Sequence, residues 1–312
     1  MIKNAQFFWE VLKDTFTEWN SSSATKDSAS LAYYAIFSIP GLLIIIIWVL
    51  GNFFGEEAIR GQISTQISGI MGPDVAKSIE GMLAGALIDK KNIFMKAVGV
   101  GSLVFGSTTL FFQLQHSLNA LWDVESAPKK ALLKFLLDRV NSLGMILILG
   151  FLLMITMILS SLISLFNKII TQYFGFETYM LVEVVNFAAG FGLVMLLFAL
   201  MFKVLPDVLI TWKSVWRGAF LTTLLFTLGK FLLSLYFSQL KPTSTFGAAG
   251  TVILIMMWIN YSCMLIFFGA KFTKVYTYKR GYPVVLSKHA RWSAAKLYAD
   301  GLKQMQAKNE ES

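Results

Sequence analysis

The stretch Gly41-Leu42-Leu43-Ile44-Ile45-Ile46-Ile47-Trp48-Val49-Leu50 sets ten consecutive side chains in a row with no charge and only one ring nitrogen among them. A strand that crosses lipid within a barrel alternates apolar and polar residues over about ten positions, so an unbroken apolar run reads as helix. A second run, Met145 to Leu159, carries no charge and reads the same way. Working outward from these two, six stretches of the 312-residue chain are apolar and long enough to cross a bilayer: 31–54, 97–118, 141–166, 178–202, 214–239 and 247–271. Each covers the ~20 residues that a helix needs to span ~30 Å of hydrocarbon. Hydrophobic residues make up 56% of the chain and charged residues 14%, with a mean hydropathy of +0.63. A water-soluble domain of this size has no interior large enough to hide so much apolar surface.

The expected fold is therefore all-α: a polytopic membrane protein with six transmembrane helices. It divides into an amphipathic N-terminal segment, 1–30, a transmembrane domain, 31–275, with a long outer loop at 55–96, and a basic tail, 276–312. Lys and Arg set the orientation. Nineteen lie in the N-terminal segment, the 119–140 and 203–217 loops and the chain from Lys271 onward, against seven in the remaining loops, with Lys230 left inside a span. The positive-inside rule then places both termini in the cytoplasm. No cleavable signal peptide is expected, because the first thirty residues hold no continuous apolar core.

Three flanking segments are patterned. Phe8, Val11, Leu12, Phe16 and Trp19 recur at helical spacing and give the N-terminal segment one aromatic face, ended at Asn20 to Ser23. That suits an anchoring or packing helix at the membrane interface more simply than a gating one. In the outer loop, Ile59, Ile63, Ile67 and Ile70 share one face, and Val75, Ile79, Met82, Leu83, Ala86 and Leu87 another, on either side of Gly72-Pro73. Two amphipathic helices fit, either flat on the outer leaflet or covering a cavity mouth. The tail interleaves Lys279, Arg280, Lys288, Arg291 and Lys296 with Tyr278, Tyr282, Trp292 and Tyr298. Beside a membrane span, attraction of those charges to anionic headgroups explains them at ~1 kcal/mol each. No nucleic-acid partner is expected, since no stacking platform or groove-reading motif accompanies the charge.

The chain's one cysteine, Cys263, excludes an internal disulfide, and its two histidines, His116 and His289, sit on different segments. No cluster has zinc-ligand spacing. Neither a Walker-type loop nor Gly-x-Ser-x-Gly occurs, so neither metal nor other cofactor is expected. Ionisable groups inside the membrane are the strongest functional candidates, because they are costly there unless paired or hydrated. Glu183 lies about one turn inside span four, and Lys230 roughly 13 Å below the outer end of span five by the 1.5 Å rise. Both fall in the outer half of the bilayer, where they could pair between neighbouring helices. A purely structural pair fits the same positions. The inner ends hold a second set: Gln113, His116 and Asn119 at the end of span two, Asp207 after span four, Asn260 in span six and Lys271 at its end. Pro40, Pro206 and Gly247 mark expected breaks or special backbone geometry. Ser160 and Ser164, and residues 188–192, offer small-residue faces for association with a second copy or with envelope proteins.

The run Ala32-Tyr33-Tyr34-Ala35-Ile36-Phe37-Ser38-Ile39-Pro40 resembles the opening signature of the YihY/virulence factor BrkB family of bacterial inner-membrane proteins. Leu118-Asn119-Ala120-Leu121-Trp122, Leu205-Pro206-Asp207 with Trp212, Lys213 and Gly218-Ala219, and Tyr236 extend the resemblance. Phe246-Gly247-Ala248-Ala249-Gly250 with Trp258 and Gly269-Ala270 complete it, over about residues 27–276. The resemblance implies six spans with cytoplasmic termini and a role in the cell envelope. Members have carried the label ribonuclease BN, but metal-assisted RNA hydrolysis needs ligands this chain lacks. Lys271 stands where the family usually has Glu, so a mechanism relying on a carboxylate there does not transfer. The leading expectation is a non-enzymatic transport or lipid-handling protein of the inner membrane, with membrane lipids as partners and no nucleotide hydrolysis of its own. The alternative is a structural or assembly factor for envelope proteins.

Overall fold

The computed structural model describes residues 2–85, 93–127, 177–240 and 242–298, with 140, 144, 146, 148 and 155 besides. The third expected span, 141–166, falls almost wholly outside the described residues. Eight helices are described: α1 (Ile2–Asn20), α2 (Ala24–Phe54), α3 (Glu56–Met71), α4 (Pro73–Gly85), α5 (Ile93–Leu121), α6 (Glu177–Val204), α7 (Trp212–Leu240) and α8 (Pro242–Lys279). Four short strands accompany them: β1 (Val124–Ser126), β2 (Val208–Leu209), β3 (Val285–Leu286) and β4 (Ala290–Trp292).

The opening run lies in the second half of α2. Leu31, Ala35, Leu43, Ile46, Ile47 and Leu50 are buried along one stripe of this helix, while Tyr33, Phe37, Trp48 and Phe53 on other faces are more than half exposed. A helix that is apolar all round belongs in lipid. Among the described residues three helical stretches, Ala24–Phe54, Phe187–Val204 and Gly250–Lys279, are long and apolar enough to cross a membrane. The 29-residue helices α5 and α7 lie where two further spans are expected but are not among these three. The all-α membrane class thus holds.

Boundaries differ from the hydropathy limits at both ends. Helix α2 starts at Ala24, seven residues before the apolar run, because Ser22 Oγ accepts from the Ala24 N–H at 3.3 Å and Asp27 sits in the first turn. Helix α8 continues through the expected domain boundary at 275/276 to Lys279. It stops where the Tyr282 N–H donates to the Thr277 carbonyl and the Gly281 N–H to the Tyr278 carbonyl, both at 3.0 Å. This Schellman turn needs a left-handed residue, which Gly281 provides at φ 65°. Pro40 and Gly247 do not break their helices: α2 runs through Pro40 and α8 through Gly247. Proline removes one ladder bond, and the neighbouring helix closes in beside it, since a Cβ on Gly106 of α5 would lie 3.6 Å from the Phe37 carbonyl oxygen. Pro206 does lie outside helix, in the bend between α6 and β2.

Helix α8 is the spine, with α1, α2, α4 and α7 packed against it. Its contact with α7 is close because two glycine–threonine pairs face each other. A side chain on Gly218 would collide with Thr273 Oγ1, and one on Gly269 with Thr222 Oγ1. Each hydroxyl donates to its own helix, Thr222 to the Gly218 carbonyl at 2.7 Å and Thr273 to the Gly269 carbonyl at 2.8 Å. The matched Gly218-Ala219 and Gly269-Ala270 motifs are therefore the seam between the two helices. The loop helices α3 and α4 meet at Gly72 and turn Ile59, Ile63, Val75 and Ile79 into the core. Helix α4 rests on the first half of α8, where Ser78 Oγ lies 3.4 Å from Thr251 Oγ1. At the opposite end β1 pairs antiparallel with β4 and β2 with β3, so the chain after α8 is strapped across the turns that follow α5 and α6.

Candidate functional site

The site forms where α1, α5 and α8 end together. Helix α1 is tied to the last turns of α8 by Val11, Phe272 and Tyr276, all with 0% exposure. Phe7 meets the Tyr276 ring edge-on at 6.0 Å, and the Arg280 guanidinium lies 4.2 Å from the Phe7 ring centre. Lys279 binds Asp14 at 2.6 Å and Glu10 at 3.8 Å. Phe8, Val11, Leu12 and Trp19 of the face read from sequence therefore pack onto a neighbouring helix, while Phe16 stays 58% exposed, and Asn20 to Ser23 bend the chain from α1 into α2 beside it.

Lys271 and Lys274 stand three residues apart on one face of α8 and are only 6% and 7% exposed. Glu18 of α1 approaches their ammonium groups at 3.5 and 3.9 Å. Asp123, just past the end of α5, binds Lys274 at 2.6 Å, and Lys274 also donates to the Leu121 carbonyl at 3.2 Å. Among the described non-glycine residues only Asp123 has a positive φ, at 56°. That left-handed conformation is uncommon outside glycine but tolerated by Asp. It is held by Asp123 N–H donating to the Ala120 carbonyl and by Ser293 N–H donating to the Asp123 carbonyl. These four charged groups, with Ser21 to Ser23 and Ala120, line an open cleft of about 350 Å³. Two cations and two carboxylates leave the cleft formally neutral.

A second network braces the floor beside it. Asn119 Nδ2 donates to Asp207 Oδ2 at 2.9 Å, and the Asp207 N–H donates back to Asn119 Oδ1 at 2.7 Å. Ser126 Oγ donates to the same carboxylate at 2.7 Å, and the Ser287 N–H to the Asp207 carbonyl at 3.0 Å. Asn119 is 4% exposed, so this pairing supplies the partners a buried amide requires. It joins α5, the turn after α6, and the tail.

The expected inner-face set thus divides. Asn119 and Asp207 bond directly, and Lys271 belongs to the neighbouring cleft, where Glu18 provides a carboxylate opposite its reversed charge. Gln113 is half-buried and His116 exposed on α5, and among the described residues neither bonds to Asn119 or Asp207. Asn260 lies farther up α8, its Oδ1 buried without a hydrogen-bond partner among the described residues. Lys230 is half-buried on α7. The side chain of Glu183 lies outside the described residues. Helices α6 and α7 pack on each other across a short turn and so run antiparallel. Glu183 and Lys230 then stand roughly 32 and 27 Å from that turn, at similar depth.

Glu18, Asp123 and Lys274 are absent from the sequence expectations. Lys274 could have been found from its spacing to Lys271, and Asp123 from its place directly after a helix end. Glu18 carried no signal, because nothing local says which helix meets α1. Two charges of the tail are also engaged: Arg291 binds Glu125 at 3.0 Å across β4 and β1, and Lys296 lies 3.2 Å from the Trp292 ring centre. Among the described residues no three His, Cys, Asp or Glu side chains are grouped to hold a metal.

The chain matches the family model for virulence factor BrkB over residues 15–294. It is 26% identical over 253 residues to a UPF0761 membrane protein of Pseudoalteromonas atlantica, covering 80% of each chain. It is 25% identical to one of Pseudoalteromonas translucida, again over 80% of each. Against a third, from Saccharophagus degradans, identity is 24% over 86% of this chain and 59% of that protein. No solved structure matches the chain.

Proposed function

The chain belongs to the virulence factor BrkB family of membrane proteins, and from that premise we propose that it handles a lipid or other envelope amphiphile in the bacterial inner membrane. In this reading it has six spans and cytoplasmic termini, and it works passively or by ion coupling, without nucleotide hydrolysis or other catalysis of its own. The observation that carries the proposal is the polar cleft at the end of an apolar helix bundle, with two nearly buried lysines facing space that their carboxylate partners do not fill. Buried charge is costly unless fully paired, and a binding site is a reason to keep it. In the positive-inside orientation of this reading the cleft opens at the cytoplasmic end of the bundle, within reach of lipid headgroups.

The test is transbilayer exchange. Purified protein is reconstituted into vesicles with a trace of headgroup-labelled fluorescent phospholipid, and a membrane-impermeant reductant is added outside. Protein-dependent loss of the inner-leaflet signal is expected, slowed at least tenfold by Ala120→Trp, which fills the cleft and leaves its four charges in place. Exchange no faster than in protein-free vesicles would overturn lipid movement and leave an assembly role for envelope proteins.

A further inference from the structure

We propose that the cleft between Glu18, Asp123, Lys271 and Lys274 binds a zwitterionic aminophosphate group, its phosphate on the lysines and its ammonium on the carboxylates. The assignment rests on the lipid-handling reading and names the headgroup chemistry that reading leaves open. Three observations support it.

The first is the charge balance. A simple anion would leave the neutral set with a net negative charge and bring that anion against two carboxylates, where like charges repel. A zwitterion keeps the site neutral and gives each of its charges an opposite one. The second is spare hydrogen-bonding capacity on both sides. The Lys271 ammonium has three N–H donors, yet among the described residues its ion-pair partner is Glu18 alone, at 3.5 Å, well beyond the 2.7–2.9 Å of a charge-assisted hydrogen bond. Lys274 is more fully engaged, by Asp123 at 2.6 Å and the Leu121 carbonyl, so Lys271 is the principal phosphate donor. The Glu18 side chain is 45% exposed, with both lysine contacts longer than 3.4 Å. Its oxygens are free to accept an ammonium. The third is space: about 350 Å³ is many times the ~30 Å³ share of one water.

An aminophosphate could arrive on a phospholipid or as a free metabolite, and the experiment separates the two. Detergent-purified protein is titrated with short-chain phosphatidylethanolamine, with short-chain phosphatidylglycerol of the same tails, and with phosphoethanolamine, binding being followed by native mass spectrometry. Wild type is expected to bind the ethanolamine lipid at least tenfold more tightly than the glycerol lipid. Glu18→Gln should erase that preference, and Lys271→Met, which removes the phosphate donor, should weaken binding of the ethanolamine lipid at least tenfold. Ala120→Trp, which alters none of the charged groups, should abolish binding in a protein whose thermal unfolding is unchanged. Free phosphoethanolamine bound without the lipid would retain the aminophosphate site and overturn the lipid-handling reading. Equal binding of both lipids, a preference that survives Glu18→Gln, or binding unweakened by Lys271→Met would overturn the aminophosphate site while leaving lipid handling intact.

Discussion

At the scale of single residues, the Asn119–Asp207 exchange and the Gly269–Thr222 contact make the clearest predictions. Asp207→Ala removes the acceptor of Asn119 and Ser126. Because Asn119 is buried, about 1–3 kcal/mol of stability should be lost, read as a lower midpoint of thermal unfolding in detergent. Asp207→Asn, which keeps an acceptor oxygen, should lose less. Gly269→Ala drives its methyl into Thr222 Oγ1 and to 3.0 Å from the Phe202 ring, an overpacking that costs roughly 1–3 kcal/mol. Adding Thr222→Ala removes the nearest obstacle, so the double variant should recover much of the loss, and a non-additive cycle in unfolding midpoints is the expected result. Both Asn119 and Asp207 could be picked out in sequence as polar groups at span ends. Their reciprocal bonds could not, since the two residues lie 88 positions apart.

At the scale of elements, helix α1 is held by an apolar contact and by ion pairs of unequal weight. Val11 is fully buried against α8, so Val11→Ala should loosen the helix by about 1–2 kcal/mol. The Lys279–Asp14 pair is partly exposed and contributes at most about 1 kcal/mol, so Asp14→Asn should have the smaller effect. Hydrogen exchange of the amides in 6–20 measures both, and faster exchange in Asp14→Asn than in Val11→Ala would mean that charge, rather than packing, anchors the helix. The apolar spacing of α1 was visible in sequence because it is local. Its docking surface was hidden because an interfacial helix and a docked helix require the same amphipathic pattern.

For the whole molecule, orientation is the property to test. Cys263 is the chain's single cysteine, so Cys263→Ala gives a background into which one reporter thiol can be placed. Lys77→Cys on α4 should react with a membrane-impermeant maleimide in intact cells, and Lys288→Cys in the tail only after permeabilisation. The reverse pattern would invert both termini. The sequence by itself determined the solvent: continuous apolar runs such as Gly41 to Leu50 need lipid around them whatever they pack against, because transfer free energy accumulates residue by residue. It also carried the breaks at Asn20–Ser23 and Gly72-Pro73, which depend on local backbone chemistry. The tertiary structure alone decided that α1 brings Glu18 to Lys271 and Lys274, that Asp123 completes the cleft, and that the tail closes over Asp207. Those partners depend on the rotation and depth of each helix in the bundle, which many helix arrangements with the same hydropathy would satisfy differently.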